Sequence, residues 1–200
     1  MRKLFGPSKE EIWRQLCAET GAEFSKGAWT KKDKVTATHA EWTITLDTFA
    51  VSTGKSVVVF TRMRAPYINP DRFRFTIYRR GFFSDIGKSF GMQDVVVGHE
   101  EFDQNFIIQG TDEVRLRALF DNPRLRELIA AQPKIHLTVK DHEGYFGPDF
   151  PPDTDELYFV VGGILKDIGR LKALFEVFAE TLDQLCHIGS AYENKPQVTL

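Results

Sequence analysis

Cysteine is almost missing from this chain. Its two copies, Cys17 and Cys186, can build neither a disulfide framework nor a zinc ribbon, which excludes small secreted scaffolds and zinc-finger modules. Net charge is nearly absent as well: 26 Lys and Arg against 28 Asp and Glu leave −2, so no global field draws the protein to nucleic acid or to an anionic membrane. Long apolar runs are lacking too. The longest, Leu157 to Leu165, has nine residues with two glycines among them, far short of a helical membrane span. Met1 to Phe5 leads straight into Gly6-Pro7-Ser8, so no signal-peptide core follows the positive start. The expectation is a cytoplasmic, membrane-free chain in a reducing compartment. What is present is globular: 42% hydrophobic and 27% charged residues over 200 positions fit one domain, expected over 1–190, with a flexible tail at 191–200.

The periodicity is mixed. Ser8 followed by Glu11 is a capping box, and Ile12, Trp13, Leu16 and Cys17 recur at helical spacing up to a glycine stop at Gly21. From about 22 to 110 the period becomes two. Trp42, Ile44 and Leu46 alternate with Thr43, Thr45 and Asp47, Val57 to Phe60 form an apolar run, and Phe73, Phe75 and Ile77 alternate with arginines. Val35 with Ala37, Val95 to Val97 and Phe106 to Ile108 suggest shorter strands, and the short connections favour antiparallel neighbours. Thr111 before Asp112 and Glu113, and Asn122 before Pro123, each open a helix. Ile135, Leu137 and Val139, and then Leu157 to Val161, read as strands. Ile168, Leu171, Phe175, Phe178, Leu182 and Leu185 mark a long amphipathic helix expected to bury that stripe on the sheet. The pattern predicts an α+β fold. A curved, mostly antiparallel sheet is covered by the N- and C-terminal helices, with a helical pair inserted near 111–132.

The motifs that carry chemistry are weak. Gly54-Lys55-Ser56 and Gly87-Lys88-Ser89 lack the first glycine of a phosphate loop, since Phe49 and Phe82 stand in its place. His99-Glu100-Glu101-Phe102-Asp103 starts like a zinc-protease helix but has Asp103 where the second ligand belongs. No Gly-x-Ser-x-Gly elbow occurs, and Cys17 and Cys186 lie along apolar helix faces, where a thiol is inert. No catalytic, cofactor-binding or metal-ligating residue is therefore assigned, and no cofactor is implied. Phe82, Phe83 and Phe90, set among glycines, read as core with a groove or oligomer interface as the alternative.

Two charge clusters stand out. Arg62, Arg64, Arg72, Arg74, Arg79 and Arg80 face only Asp71 within 62–80, whereas 141–156 carries Asp141, Glu143, Asp149, Asp153, Asp155 and Glu156 without Lys or Arg. Tyr145 and Phe146 punctuate the acidic loop. Alternation places Phe73 and Phe75 opposite Arg72 and Arg74, so basic patch and aromatic platform do not coincide, which disfavours nucleic acid. The spacing of Asp149, Asp153 and Asp155 lacks an EF-hand rhythm. The two clusters are expected to pair with each other, within one molecule or across a homodimer, with Arg62, Arg64, Arg72, Arg74, Arg80, Asp149, Asp153, Asp155, Tyr145 and Phe146 as candidate interaction residues.

The block Val95 to Ile108, with Glu101-Phe102-Asp103-Gln104-Asn105-Phe106 at its centre, continues through Thr111-Asp112-Glu113 to Leu128-Ile129. It resembles a bacterial domain family of unknown function that carries a similar acid-Phe-acid-x-x-Phe strand motif before an acid-capped helix. The resemblance, mainly over 94–130, implies a bacterial α+β protein and no particular reaction. The leading functional expectation is a non-enzymatic binding or assembly module with a protein or small-molecule partner. The alternative is an enzyme or small-ligand protein with a pocket between sheet and C-terminal helix, closed by the 141–155 loop.

Overall fold

The structure is a computed structural model that describes residues 6–27, 32–52, 54–81, 93–141, 150–192, 194, 196–198 and 200. Phe82, Phe83, Phe90, Gly87-Lys88-Ser89, Tyr145, Phe146 and Asp149 lie outside the described residues.

Helix α1 (Lys9–Thr20) starts as its capping box requires: the Glu11 amide donates to Ser8 Oγ, and the Ser8 amide donates to Glu11 Oε2 at 2.8 Å. Gly21 closes it in the left-handed conformation, φ 75°, which a side chain would resist. Strands β1 (Glu23–Ser25), β2 (Lys34–His39), β3 (Trp42–Ser52), β4 (Val57–Ile68), β5 (Phe75–Arg79) and β6 (Gln93–Asp94) follow. Then come α2 (Glu100–Asn105), β7 (Phe106–Gly110), α3 (Glu113–Phe120), α4 (Pro123–Ala130), β8 (His136–Lys140), β9 (Thr154–Gly162) and α5 (Ile168–His187). The strands form one open sheet in the order β1-β2-β3-β4-β9-β8-β5-β7-β6, and every neighbouring pair is antiparallel. The expected α+β architecture, with terminal helices and an inserted helical pair, is what is observed.

The pleat sorts the sheet into two faces. Val35, Ile44, Leu46, Met63, Ala65, Tyr67, Leu157, Phe159, Leu137, Phe75 and Ile77 point one way and are completely or almost completely buried. They join Trp13 and Leu16 of α1 and Leu171, Leu174, Val177, Phe178, Leu182 and Leu185 of α5 in one continuous core. The opposite face carries Lys34, Thr36, Thr45, Asp47, Arg62, Arg64, Glu156 and Thr138, by register. Gly110 lies where β7 meets α3, and a Cβ there would stand 2.6 Å from Leu116 Cδ1 and 3.0 Å from the Arg74 carbonyl oxygen. Only glycine permits that approach.

Four local expectations are corrected. Val95 to Val97 are not a strand; β6 is the two residues before them, and the Val97, Gly98 and His99 amides donate to the Asp103 carboxylate at 2.9–3.0 Å instead of to a neighbouring strand. For the same reason the acid-Phe-acid-x-x-Phe motif is a helical turn, not a strand, up to Asn105; Phe102 and Phe106, four apart, stack with centroids 4.7 Å apart. The cap of α3 is Asp112, whose carboxylate accepts from the Arg115 amide, because Thr111 Oγ1 is taken by the Arg74 amide. On α5 the buried row runs through Leu174 and Val177; Ile168 and Phe175 are half-buried at its margin.

Candidate functional site

The two charge clusters meet at one arginine. Arg74 Nε and Nη2 donate to the Asp155 carboxylate at 2.9 and 3.1 Å, and Arg74 Nη1 donates to Asp141 at 2.7 Å. Asp141 and Asp155 are the two ends of the acidic loop, so one planar guanidinium clasps both stems, the bidentate geometry to which arginine is suited. This is the site at which the chain concentrates polar chemistry. It is built around Asn69, which is fully buried just past the end of β4. The Asn69 amide donates to the Asp153 carbonyl at 2.7 Å, and its side-chain nitrogen donates to both the Phe73 carbonyl and Asp155 Oδ2. Its side-chain oxygen accepts from the Phe73 amide at 3.2 Å.

Two of the three non-glycine residues with positive φ among the described residues, Arg72 (53°) and Asp153 (60°), flank this asparagine. Such conformations persist only where the surroundings over-determine them. Beneath them the Tyr67 hydroxyl is completely buried without a hydrogen-bond partner among the described residues. Burial, and then the Asp155 charge, pushes its phenol well above the usual tyrosine range, so it stays protonated. The pairing with Asp155 raises the Arg74 guanidinium still further above its ordinary value. Three donors, one from Asn69 and two from Arg74, occupy the two Asp155 oxygens. The arrangement holds a conformation.

The other candidate residues go elsewhere. Arg62 and Arg64 are on the open sheet face and converge on Asp47: Arg62 Nε and Nη2 donate at 2.6 and 3.0 Å, and Arg64 Nη2 at 2.7 Å. The Arg62 guanidinium also lies over Phe49. Arg72 is exposed, and the Arg80 side chain donates to the Asp103 carbonyl. The exposed Asp153 takes part through its carbonyl alone. Sequence reasoning did not single out Asp47 or Asn69 as partners. Asp47 was visible as a polar position in an apolar alternation, but nothing local said that it would take two arginines.

Two further features belong to the site inventory. Between α2 and α4 lies a cleft of about 460 Å³ with Phe102 and Phe106 among its walls and His99, Arg126, Glu100, Glu101 and Glu127 around them. Arg126 donates to His99 Nε2 at 2.9 Å and to the Phe120 carbonyl, so its guanidinium is engaged at the mouth. The outer end of the β3–β4 hairpin is apolar and exposed: Val57 is 67% accessible, Val51 44%, Val58 39% and the nearby Ile164 43%. Phe49 and Phe60 stack behind these valines. Among the described residues, no group of three or more His, Cys, Asp or Glu side chains gathers as a metal site, and no helix is long and apolar enough to cross a membrane. Cys17 is half-buried, which raises its thiol pKa, and neither it nor Cys186 forms a disulfide among the described residues.

Together the fold and its clasps define an open-sheet α+β protein whose polar residues are spent on pairing. One solved structure shares this architecture: the mycobacterial trehalose monomycolate transport factor A, TtfA, superimposes with a TM-score of 0.54 at 6% identity, over 94% of this chain and 97% of that one. At that identity the likeness is one of fold. No protein-family model and no curated protein matches the chain.

Proposed function

We propose that this chain is a non-enzymatic binding and assembly module that holds a protein partner against the outer end of its β3–β4 hairpin. The observation that carries this reading is the concentration of exposed apolar surface there. Four of the seven large apolar residues left exposed among the described residues, Val51, Val57, Val58 and Ile164, lie at this one end. Single exposed apolar side chains need no explanation, but several β-branched residues gathered at one hairpin end, on both sides of the pleat and beyond the helix-covered core, are the mark of a contact surface. The filled interface between sheet and α5 supports the same reading over a ligand pocket: its side chains are fully buried, and the cleft described above is walled by α2 and α4. The protein that shares the fold is named a trehalose monomycolate transport factor, which suits a holding role.

The test is a photo-crosslinking amino acid placed at Val57 and, as control, at the equally exposed but isolated Val114, which is 77% accessible. The expected result is one discrete adduct from position 57, absent from position 114 and lost when Val58 becomes Lys. An adduct with a second copy of this chain would identify the partner as homotypic. Equal, diffuse labelling from both positions would overturn the proposal.

A further inference from the structure

The open sheet face is not bare. The isolated bridge between Ile68 and Tyr192 starts the C-terminal segment at the end of β4, and Lys34 Nζ on β2 donates to the main-chain oxygen of Leu200 at 3.0 Å. The segment therefore crosses the face from β4 to β2. Between those points is a cavity of about 150 Å³ lined by Lys34, Thr36, Thr43, Thr45 and Pro66 from the sheet, by Glu41 from the turn between β2 and β3, and by Pro196, Val198 and Leu200 from the segment. The sheet residues share one side of the pleat, by register. Pro196 and Val198 line it while the intervening Gln197 is exposed. That is the alternation of an extended peptide reading a surface through one set of side chains.

The cavity has a physical origin. The β3–β4 ladder ends at the Thr45–Arg64 pair, and Pro66, two residues on, has no N–H with which to continue it. The strands part there and leave room beside a rigid apolar ring, with threonine hydroxyls around it, the Lys34 ammonium on β2 and the Glu41 carboxylate at the β2–β3 turn. We propose that this face of β2–β4 is a binding groove for extended peptides with apolar side chains at alternate positions, and that Pro196, Val198 and Leu200 are its built-in, displaceable occupants. The partner it fits is a strand-like segment of a second protein with the pattern Pro-x-Val-x-Leu or a close aliphatic relative, its main chain accepting from Lys34. This surface is separate from the hairpin end and does not depend on its role.

A tethered occupant competes at an effective concentration of about 1 mM, so a free peptide of intrinsic affinity near 100 μM should lose about tenfold against the native chain. The experiment uses a fluorescent peptide of the sequence Tyr192 to Leu200, the full-length protein, and anisotropy as readout. In the variant Val198→Asp, Leu200→Asp the tail is evicted and the peptide should bind about tenfold tighter than to the native chain. Adding Thr43→Lys, which fills the groove, should abolish that gain, and adding Lys34→Ala should reduce it. Circular dichroism of the evicted variant should match that of the native chain. The proposal is wrong if the evicted variant binds no better, if Thr43→Lys leaves binding intact, or if the evicted variant unfolds, which would make the segment part of the core.

Discussion

The two faces of the one sheet are buried by different means. On the face under α1 and α5, the sheet contributes Met63, Ala65, Leu157 and Phe159, all at 0% exposure, and the closing surface comes from helices. On the open face Thr45, Asp47, Arg64, Glu156 and Thr138 are just as hidden, at 0–6%, yet the strands there are dressed in polar side chains. There the burial comes from side chains lying across one another: two arginines on Asp47, and the Lys140 ammonium over the Tyr158 ring at 3.4 Å. Dispersion and the hydrophobic effect hold the first face and tolerate gradual change. The second is held by paired charges, and removing one partner strands the other in a poorly solvated place.

The contrast can be broken from either side. Phe178→Ala, in the middle of the covered face, should cost about 3–5 kcal/mol through lost transfer energy and the cavity left behind, read as a lower urea midpoint with an unchanged slope. The half-buried Phe175 at the margin should lose clearly less, and equal losses would mean that the helix is rotated from the position described. Asp47→Ala should cost about 3 kcal/mol, because Arg62 and Arg64 would remain without their shared carboxylate, and Asp47→Asn should recover part of it. A loss below about 1 kcal/mol would show that this cluster is solvated like a surface pair.

Acid should weaken the open face as well. His136, buried beside Tyr78, has a pKa lowered from 6.5 to about 4, first by burial and then by the Lys140 charge. Its neutral form is the one the fold accepts, while the unfolded chain protonates near 6.5. The stabilisation is therefore complete above about pH 6.5 and is lost as pH falls toward 4, amounting to about 3 kcal/mol. His136→Gln should flatten that part of the stability profile; a profile that keeps its slope would assign the acid sensitivity to other groups. Smaller still, Arg74→Gln should cost about 2 kcal/mol by leaving the buried Asp155 with only its amide partner. Its clearer sign is faster proteolysis between 141 and 155. Unchanged cleavage would mean that the clasp does not govern the loop.

The same contrast explains what could be read from the chain alone. Where one face of an element is apolar, residue type and spacing suffice: the Ser8–Glu11 box, Asn122-Pro123 and the α5 stripe each specify local geometry within a few positions. Adjacent rows on α5 were confused because Leu174 and Val177 fit steps of three and four as well as Phe175 does. Helix α2 was hidden in the polar run Glu100-Glu101-Phe102-Asp103-Gln104-Asn105, which has one apolar residue to signal a period. The pairing of Arg74 with the acidic segment followed from charge counting. Its hub did not, because Asn69 reaches Asp155 across 86 positions and carries no charge to count. Arg62 and Arg64 found Asp47 through a β3–β4 register that composition does not encode.

The Arg74 clasp also bears on how this chain can diverge. Because one guanidinium ties Asp141 to Asp155, the stems of that excursion are fixed to each other by local bonds and not by what lies between them. Lengthening the stretch then costs mainly closure entropy, about 0.6 kcal/mol for each doubling, while β8 and β9 stay in register. The position is thus a natural port for inserted sequence, where a new epitope, a reporter or a whole domain could be carried without redesigning the sheet beneath it.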